Sequence, residues 1–302
     1  MKKLRYIAII LLLLVSIPGM VWAQSAGTAS QESEEELDVN ELVFGHIGDA
    51  YKWHIVTLGE TELCITKNVL GLFINSALLL VIMMSCVRWY KKHPVEQGAP
   101  KGGVGMIEAL VLMVYDDVIK GCIGEDYKRY APYLLTAFFF VLVNNLMGLI
   151  PFFPGGANVT GNIAITLVLA VCTFIFTNLY ATKEYWKEIF WPDVPTWLKV
   201  PIPMMPLIEF FGIFTKPFAL MIRLFANIMA GHAAILSLIA IIFITVKVGP
   251  VINGSMTAVA VIFGIFMDAL EVLVAFIQAY VFTMLSAVFI GLSRVKEHEA
   301  SK

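Results

Sequence analysis

The sequence predicts an all-α polytopic membrane protein: about five transmembrane helices in the mature chain, the last two long, tilted and paired as a hairpin, plus an amphipathic helix on the membrane surface. Three observations support this fold class. Hydrophobic residues make up 59% of the chain and charged residues only 15%, against about 25% charged in a soluble domain. Several apolar runs reach about 20 residues, the length that crosses a bilayer as a helix. Two runs near the C-terminus are each about 40 residues long, roughly twice the hydrocarbon thickness as straight helix.

Residues 1–23 have the pattern of a signal peptide. Basic residues precede a short apolar stretch that Pro18 and Gly19 interrupt. Val21 and Ala23 place small residues at the −3 and −1 positions of a cleavage site after Ala23. An uncleaved first membrane helix is the alternative, but the interruption favours cleavage. In both interpretations the next segment is exported.

Residues 24–67 are polar and acidic, and they predict an exported N-terminal segment before a membrane domain over 68–302. Within the segment, His46, Asp49 and His54 are candidate metal ligands. Their spacing matches no common site, so a short strand or turn packed on the outer membrane surface is the preferred interpretation. No metal or other cofactor is therefore expected.

The next segments alternate between crossings and polar connections. We predict crossings at 68–90, 132–150 and 162–181, and an amphipathic surface helix at 104–122 that carries Asp116, Asp117 and Lys120. Basic residues cluster in the connections that this scheme places in the cytoplasm, as the positive-inside rule requires. The N-terminus is then outside and the C-terminus cytoplasmic.

The two long apolar segments are predicted at 207–246 and 251–293, after a proline-rich and tryptophan-rich loop at 191–206. Within that loop, 200–205 is predicted to lie at the interface. The turn between the long segments is predicted from four residues: Gly249, Pro250, Asn253 and Gly254.

Polar and ionisable residues interrupt both long segments, where they are costly and usually functional. Glu209 and Lys216 lie near an end, so they could instead reach the interface. Arg223, His232 and Glu271 lie well inside, which favours a function. The full set is Glu209, Lys216, Arg223, Asn227, His232, Asp268, Glu271 and Gln278.

Helical spacing sorts these residues onto faces. At about 100° per residue, Arg223 and Asn227 share a face, with Ala219, Ala226 and Ala230 on or beside it. Small residues allow another helix to approach closely, either from another subunit or from within this chain.

His232 lies on the opposite side of the same helix from Arg223. On the last helix, one stripe contains Asp268, Glu271, Ala275 and Gln278. The pattern indicates a fixed cation that faces a partner, with titratable groups on the other side able to relay protons.

Three motifs carry a family resemblance. They are "EFFGIFTKPFALMIRLFANIMAGH" from Glu209, "QAYVFTMLSAVFIGLS" from Gln278, and "NNLMGLIP" from Asn144. Together they resemble subunit a of the F-type ATP synthase, the membrane stator subunit, over most of 68–294. The arginine and glutamine motifs in combination are highly specific.

The resemblance implies roles for individual residues. Arg223 would face the ring of c subunits, attract a deprotonated rotor carboxylate and block leakage between two half-channels. Asn227 and Gln278 would line the same interface. His232 and Glu271 would belong to the half-channel open to the outer side, and Glu209 would lie near the cytoplasmic one. The residues to which the resemblance and the helical pattern assign a part in ion translocation are Arg223, Asn227, His232, Glu271, Gln278, Glu209 and Asp268.

The chain departs from the family pattern at three positions. Some relatives carry the acid where His232 lies and the histidine where Glu271 lies, so the pair is exchanged here. Some bacterial relatives have aspartate at Gly148, and some have serine at Ala219. The exchange preserves the chemistry if the two side chains are neighbours.

The resemblance also implies the setting: a multi-pass subunit of the bacterial inner membrane, non-catalytic on its own. Its partners would be the c ring, the b subunits of the peripheral stalk, the remaining synthase subunits and lipid, with no nucleic acid. A proton-coupled secondary transporter and a membrane anchor of a larger complex are the alternatives. Transporters commonly show paired repeats, and the sequence has no internal repeat.

Overall fold

The structure is a computed structural model that describes residues 52–58, 61–93, 100, 102–150, 159–190, 204–246 and 249–294. Its first element is an antiparallel pair of strands, in which β1 (Lys52–Leu58) places His54 opposite Cys64 of β2 (Thr61–Thr66). The other elements are helical. The predicted signal peptide, His46 and Asp49 lie outside the described residues.

The helices follow in chain order, and the second is continued by a π-helix. They are α1 (Lys67–Lys92), α2 (Gly103–Leu112), the π-helix (Met113–Lys120), α3 (Gly121–Ile123), a 3-10 turn (Gly124–Asp126), α4 (Tyr127–Gly148), α5 (Ile163–Leu179), α6 (Lys183–Phe190), α7 (Met204–Val246) and α8 (Pro250–Leu292).

The predicted membrane fold is confirmed. Within the described residues, four stretches are long and apolar enough to cross a bilayer, and they contain α1, α4, α7 and α8. Helix α5 is apolar but shorter, at 17 residues. The two final helices are 43 residues each and pack on one another as the predicted hairpin.

The predicted amphipathic helix is also present, although it is divided between α2, the π-helix and α3. Val114, Val118 and Ile119 are buried, whereas Asp116 and Lys120 are exposed and lie 4.0 Å apart as an ion pair. The apolar side packs on α4 and α8, so the chain itself covers it.

Helix α4 contributes the largest share of the buried side chains of the helical core. Leu134, Phe138 and Val141 are fully buried, and they belong to one cluster with Ala279 and Phe282 of α8. Small side chains on α8 let the two helices approach closely. The first half of α8 is mostly exposed, so the core holds only its second half.

Several predicted boundaries were wrong. Helix α8 begins at Pro250, so Asn253 and Gly254 are helical rather than part of the turn. Proline suits the first helical position because its missing N–H would have no intrahelical partner there. Gly249, at φ 142°, precedes the helix. Thr245 Oγ1 donates to Asn253 Oδ1 at 3.1 Å, which joins the ends of α7 and α8.

Two other helices start earlier than predicted. Helix α4 begins at Tyr127 and contains Pro132, and α7 begins at Met204 inside the predicted loop. The rest of the predicted interfacial piece lies outside the described residues. Helix α6, eight residues long, was not predicted.

Polar contacts join the end of α8 to neighbouring elements. Arg294 forms an ion pair with Asp126 and donates to the Tyr180 carbonyl at 3.2 Å. The hydrogen bond that Arg294 donates to the Asp126 carboxylate raises the pKa of Arg294. Thr182 N–H donates to the Ser293 carbonyl at 3.0 Å. These contacts join the C-terminal end of α8 to the turn before α4 and to the segment after α5.

Candidate functional site

Arg223 lies on the exposed side of α7, halfway along an apolar helix. Ala219, Ala226 and Ala230 are exposed on the same helix, as the spacing predicted. Leu220 and Leu224 point the other way and are buried, at 1% and 0% exposure. Within the described part of the chain, Arg223 has no hydrogen-bond or ion-pair partner. A guanidinium exposed to hydrocarbon is costly, so this face requires a partner of opposite charge.

A cavity of about 270 Å³ lies next to this face, between α7, the middle of α8 and the end of α4. It brings together three of the predicted site residues, Asn227, His232 and Glu271. The complete lining is Asn145, Leu149, Asn227, Ile228, Ala230, Gly231, His232, Met267, Leu270, Glu271 and Val274. His232 and Glu271 therefore share one cavity, whereas Arg223 is not part of its wall.

Gly231, which has no side chain, leaves the space that the Glu271 carboxyl group occupies. A Cβ added at Gly231 would lie 2.5 Å from Glu271 Oε1 and 3.1 Å from its Cδ. The carboxyl group thus packs directly against the α7 backbone, beside His232. A larger residue at this position would occupy the volume of the carboxyl group.

For the activity that the family resemblance implies, we expect Gly231→Ala to lower ATP-driven pumping several-fold, because the new methyl group displaces the Glu271 carboxyl from its position. Misplacement of a reacting group by about 1 Å can cost up to 100-fold. Gly212→Ala is the matched control, since a Cβ there meets nothing within 4 Å on the same helix. Acidification of inverted vesicles measures both variants. Equal rates for the two variants would refute the steric argument.

Polar atoms beside the cavity lack partners. Asn145 Oδ1, Asn227 Nδ2 and Glu271 Oε1 are buried and have no hydrogen-bond partner within the described residues. They supply both donor and acceptor groups along a cavity large enough for several water molecules. Such a lining suits a hydrated path for a proton.

Gln278 and Asp268 lie in different surroundings on α8. Gln278 is 6% exposed, and its Nε2 has no partner among the described residues, whereas Asp268 is exposed on α8. Within this chain, Gln278 is therefore buried, whereas Arg223 is exposed. The predicted stripe on α8 is therefore exposed at its Asp268 end and buried at its Gln278 end.

A second, much smaller space of about 10 Å³ lies near the start of α7. It is lined by Lys216 and Tyr185, among others, and Lys216 Nζ lies 5.8 Å from the centroid of the Phe289 ring. Burial raises the pKa of Tyr185, and the nearby Glu209 carboxylate raises it further. Glu209 itself is exposed. Glu209, a predicted site residue, therefore lies close to Tyr185 of α6.

Sequence reasoning missed Asn145 and Gly231 as site residues. The signal for Asn145 was present in "NNLMGLIP", an amide pair inside an apolar run. The described residues contain no group of three or more His, Cys, Asp or Glu that could hold a metal ion. His54 of the candidate ligand set lies in β1.

The fold and the site define an integral membrane protein that holds charged and titratable side chains inside its longest membrane-crossing helices. A family model for the ATP synthase A chain matches residues 70–291. The chain therefore belongs to the ATP synthase A chain family, the non-catalytic membrane subunits of the F0 sector of ATP synthase, which take part in proton translocation.

The sequences of curated relatives align with this chain over most of their length. ATP synthase subunit a of Chloroherpeton thalassium is 42% identical over 273 residues, covering 87% of this chain and 78% of the relative. That of Chlorobium phaeobacteroides is 45% identical over 268 residues, covering 87% and 75%. ATP synthase subunit a 2 of Prosthecochloris aestuarii is 40% identical over 319 residues, covering 98% and 94%.

Proposed function

We propose that this chain conducts protons through two half-channels at the interface with the c ring of an F-type ATP synthase. The observation that carries the proposal is the unpaired Arg223 on an exposed, alanine-lined face of α7. An arginine stays protonated at any physiological pH. Its counter-charge has to come from another subunit, and a carboxylate on a rotor helix supplies one.

The outer path is the cavity that Asn145, Asn227, His232 and Glu271 line. Protons entering from the outer side reach a rotor carboxylate by way of His232 and Glu271. The neutral carboxyl group can then move into the hydrocarbon, which the ionised form would enter only at high cost.

The cytoplasmic path begins near Glu209 and Tyr185. A protonated rotor carboxyl group returning from lipid meets Arg223, which favours its ionised form, and the proton leaves toward the cytoplasm. Each charge that crosses the membrane releases about 2.3 kcal/mol per 100 mV. Because the two paths open to opposite sides and Arg223 separates them, the gradient turns the ring in one direction.

The assembly follows from this role. The chain sits in a bacterial inner membrane with its N-terminus outside and its C-terminus in the cytoplasm. It contacts the c ring through α7 and α8 and is held by the b subunits and the rest of the stator. The length of α7 and α8, 43 residues each, fits helices that run tilted along the curved ring.

Cysteine cross-linking tests the rotor interface. The native cysteines are first replaced, and Ala226→Cys, on the exposed face one turn after Arg223, is paired with a single cysteine beside the carboxylate of the c-subunit helix. We expect a disulfide between the two subunits. Ser85→Cys, exposed on α1, is the control and should not cross-link. Cross-linking at Ser85 but not at Ala226 would place the ring elsewhere and favour an anchor.

A further inference from the structure

We propose that Asn75 is a positioning residue for the outer proton path, acting through Asn144 on the carboxamide of Asn145. The inference rests on the proposed function, because it takes the cavity beside Glu271 to be that path. Asn75 lies on α1 and does not line the cavity. Its effect is carried by contacts across two helix interfaces.

The first contact joins α1 to α4. Asn75 Nδ2 donates to Asn144 Oδ1 at 3.0 Å, and each residue is 1% exposed. Asn144 Nδ2 in turn donates to the Phe140 carbonyl of its own helix at 2.8 Å. The Asn144 carboxamide is therefore held at both its oxygen and its nitrogen.

The hydrogen bond matters because α1 has little else to hold it. Much of the helix is exposed, with Phe73 at 67%, Leu80 at 63% and Val81 at 64%. In lipid there is no hydrophobic drive for helices to associate, so packing and interhelical hydrogen bonds determine how they dock. Asn75 lies about two turns into α1 and Asn144 about one turn before the end of α4, so the bond joins the ends that lie nearer the cavity.

The second contact joins α4 to α8. Asn145 follows Asn144 and so points about 100° away around α4. Its Nδ2 donates to the Ala275 carbonyl at 3.4 Å, and its Oδ1 has no partner within the described residues. Asn145 lines the cavity together with Glu271. The bond from Asn75 holds the Asn144 carboxamide near the end of α4, so it restrains that end of the helix and with it the direction of the neighbouring Asn145 carboxamide.

The test separates positioning from assembly by varying the two sides of the membrane independently. ATP synthesis by assembled complexes in liposomes is measured while the proton concentration on the side that corresponds to the cell exterior is varied at a fixed pH on the cytoplasmic side. The pH on the cytoplasmic side is then varied at a fixed outer pH. For Asn75→Leu we expect the outer proton concentration at half-maximal rate to rise about threefold or more, in line with interhelical bonds worth about 0.6 kcal/mol or more. The maximal rate and the cytoplasmic dependence should not change.

Companion variants complete the design. Asn144→Leu should shift the outer dependence in the same way, and the double variant should go no further than the larger single change. Ser85→Leu makes the same kind of substitution on the exposed side of α1 and should shift nothing. If Asn75→Leu does not assemble, Asn75→Ser, which is too short to keep the bond to Asn144, is measured instead with the same expectation.

Three results would overturn the inference: an unchanged outer dependence, an equal shift on both sides, or multiplying effects in the double variant. Glu271→Gln distinguishes this failure from failure of the proposed function. If Glu271→Gln shifts the outer dependence and Asn75→Leu does not, only the role of Asn75 is refuted. If Glu271→Gln shifts nothing, the cavity is not the outer path and both proposals fail.

Discussion

Arg223→Ala is expected to abolish ATP-driven proton pumping while the subunit remains assembled in the membrane. The arginine has no partner in the described part of the chain, so its removal leaves no buried acid of this subunit unpaired. The charge that loses its partner is the rotor carboxylate. Breaking a desolvated ion pair in this way costs about 3–5 kcal/mol, which corresponds to more than about a 100-fold loss of rate.

The measurement is acidification of inverted vesicles in Na⁺-free medium, with the amount of assembled complex determined in parallel. Wild-type acidification in that medium identifies the proton as the transported ion. Arg88→Ala is the matched control, because Arg88 is an exposed arginine near the end of another helix, α1. We expect its pumping to remain near the wild-type level.

The variant should also leak. Without the positive charge between the two paths, a proton gradient imposed on the vesicles should decay faster than in the wild type. Retained pumping in assembled Arg223→Ala complexes would contradict the proposal. It would favour a membrane anchor in which the arginine makes only structural contacts.

The sequence predicted the membrane helices because their signal is length and hydropathy, which need no knowledge of packing. The π-helix has no comparable signal, since Met113–Lys120 follows the same apolar spacing as an α-helix to within about one residue. Helix α6 is short and carries charges on most turns, so it resembles a connection. Its place depends on the Thr182 contact with Ser293, a residue more than a hundred positions away.

The candidate site was likewise predicted only where a single helix supplies the signal. The exposed face of Arg223 followed from helical period and from the small residues beside it. The burial of Gln278 did not follow, because the period shows which residues share a face of α8 but not which face α4 covers. Gly231 was missed for a related reason: its role depends on Glu271, which lies on the next helix.

Exchanging His232 and Glu271 together is expected to restore much of the activity that either single change removes. Both residues line the same cavity, and the Glu271 carboxyl packs on the residue before His232. His232→Glu would place two carboxylates in one cavity, where they repel, and Glu271→His would leave no acid there. We expect each single change to lower pumping about tenfold or more, because a relay of two groups loses one member.

The double exchange restores one acid and one imidazole to the same cavity, so its pumping should return to within about threefold of the wild type, a non-additivity typical of residues in contact. The double-mutant cycle is measured by vesicle acidification per assembled complex. The matched control exchanges His232 with Asp268 instead, since Asp268 is exposed on α8 and does not line the cavity. That exchange should give no recovery. Losses that simply multiply in the His232–Glu271 exchange would mean that the two side chains act separately. His232 and Glu271 would then line one cavity without forming a common proton relay.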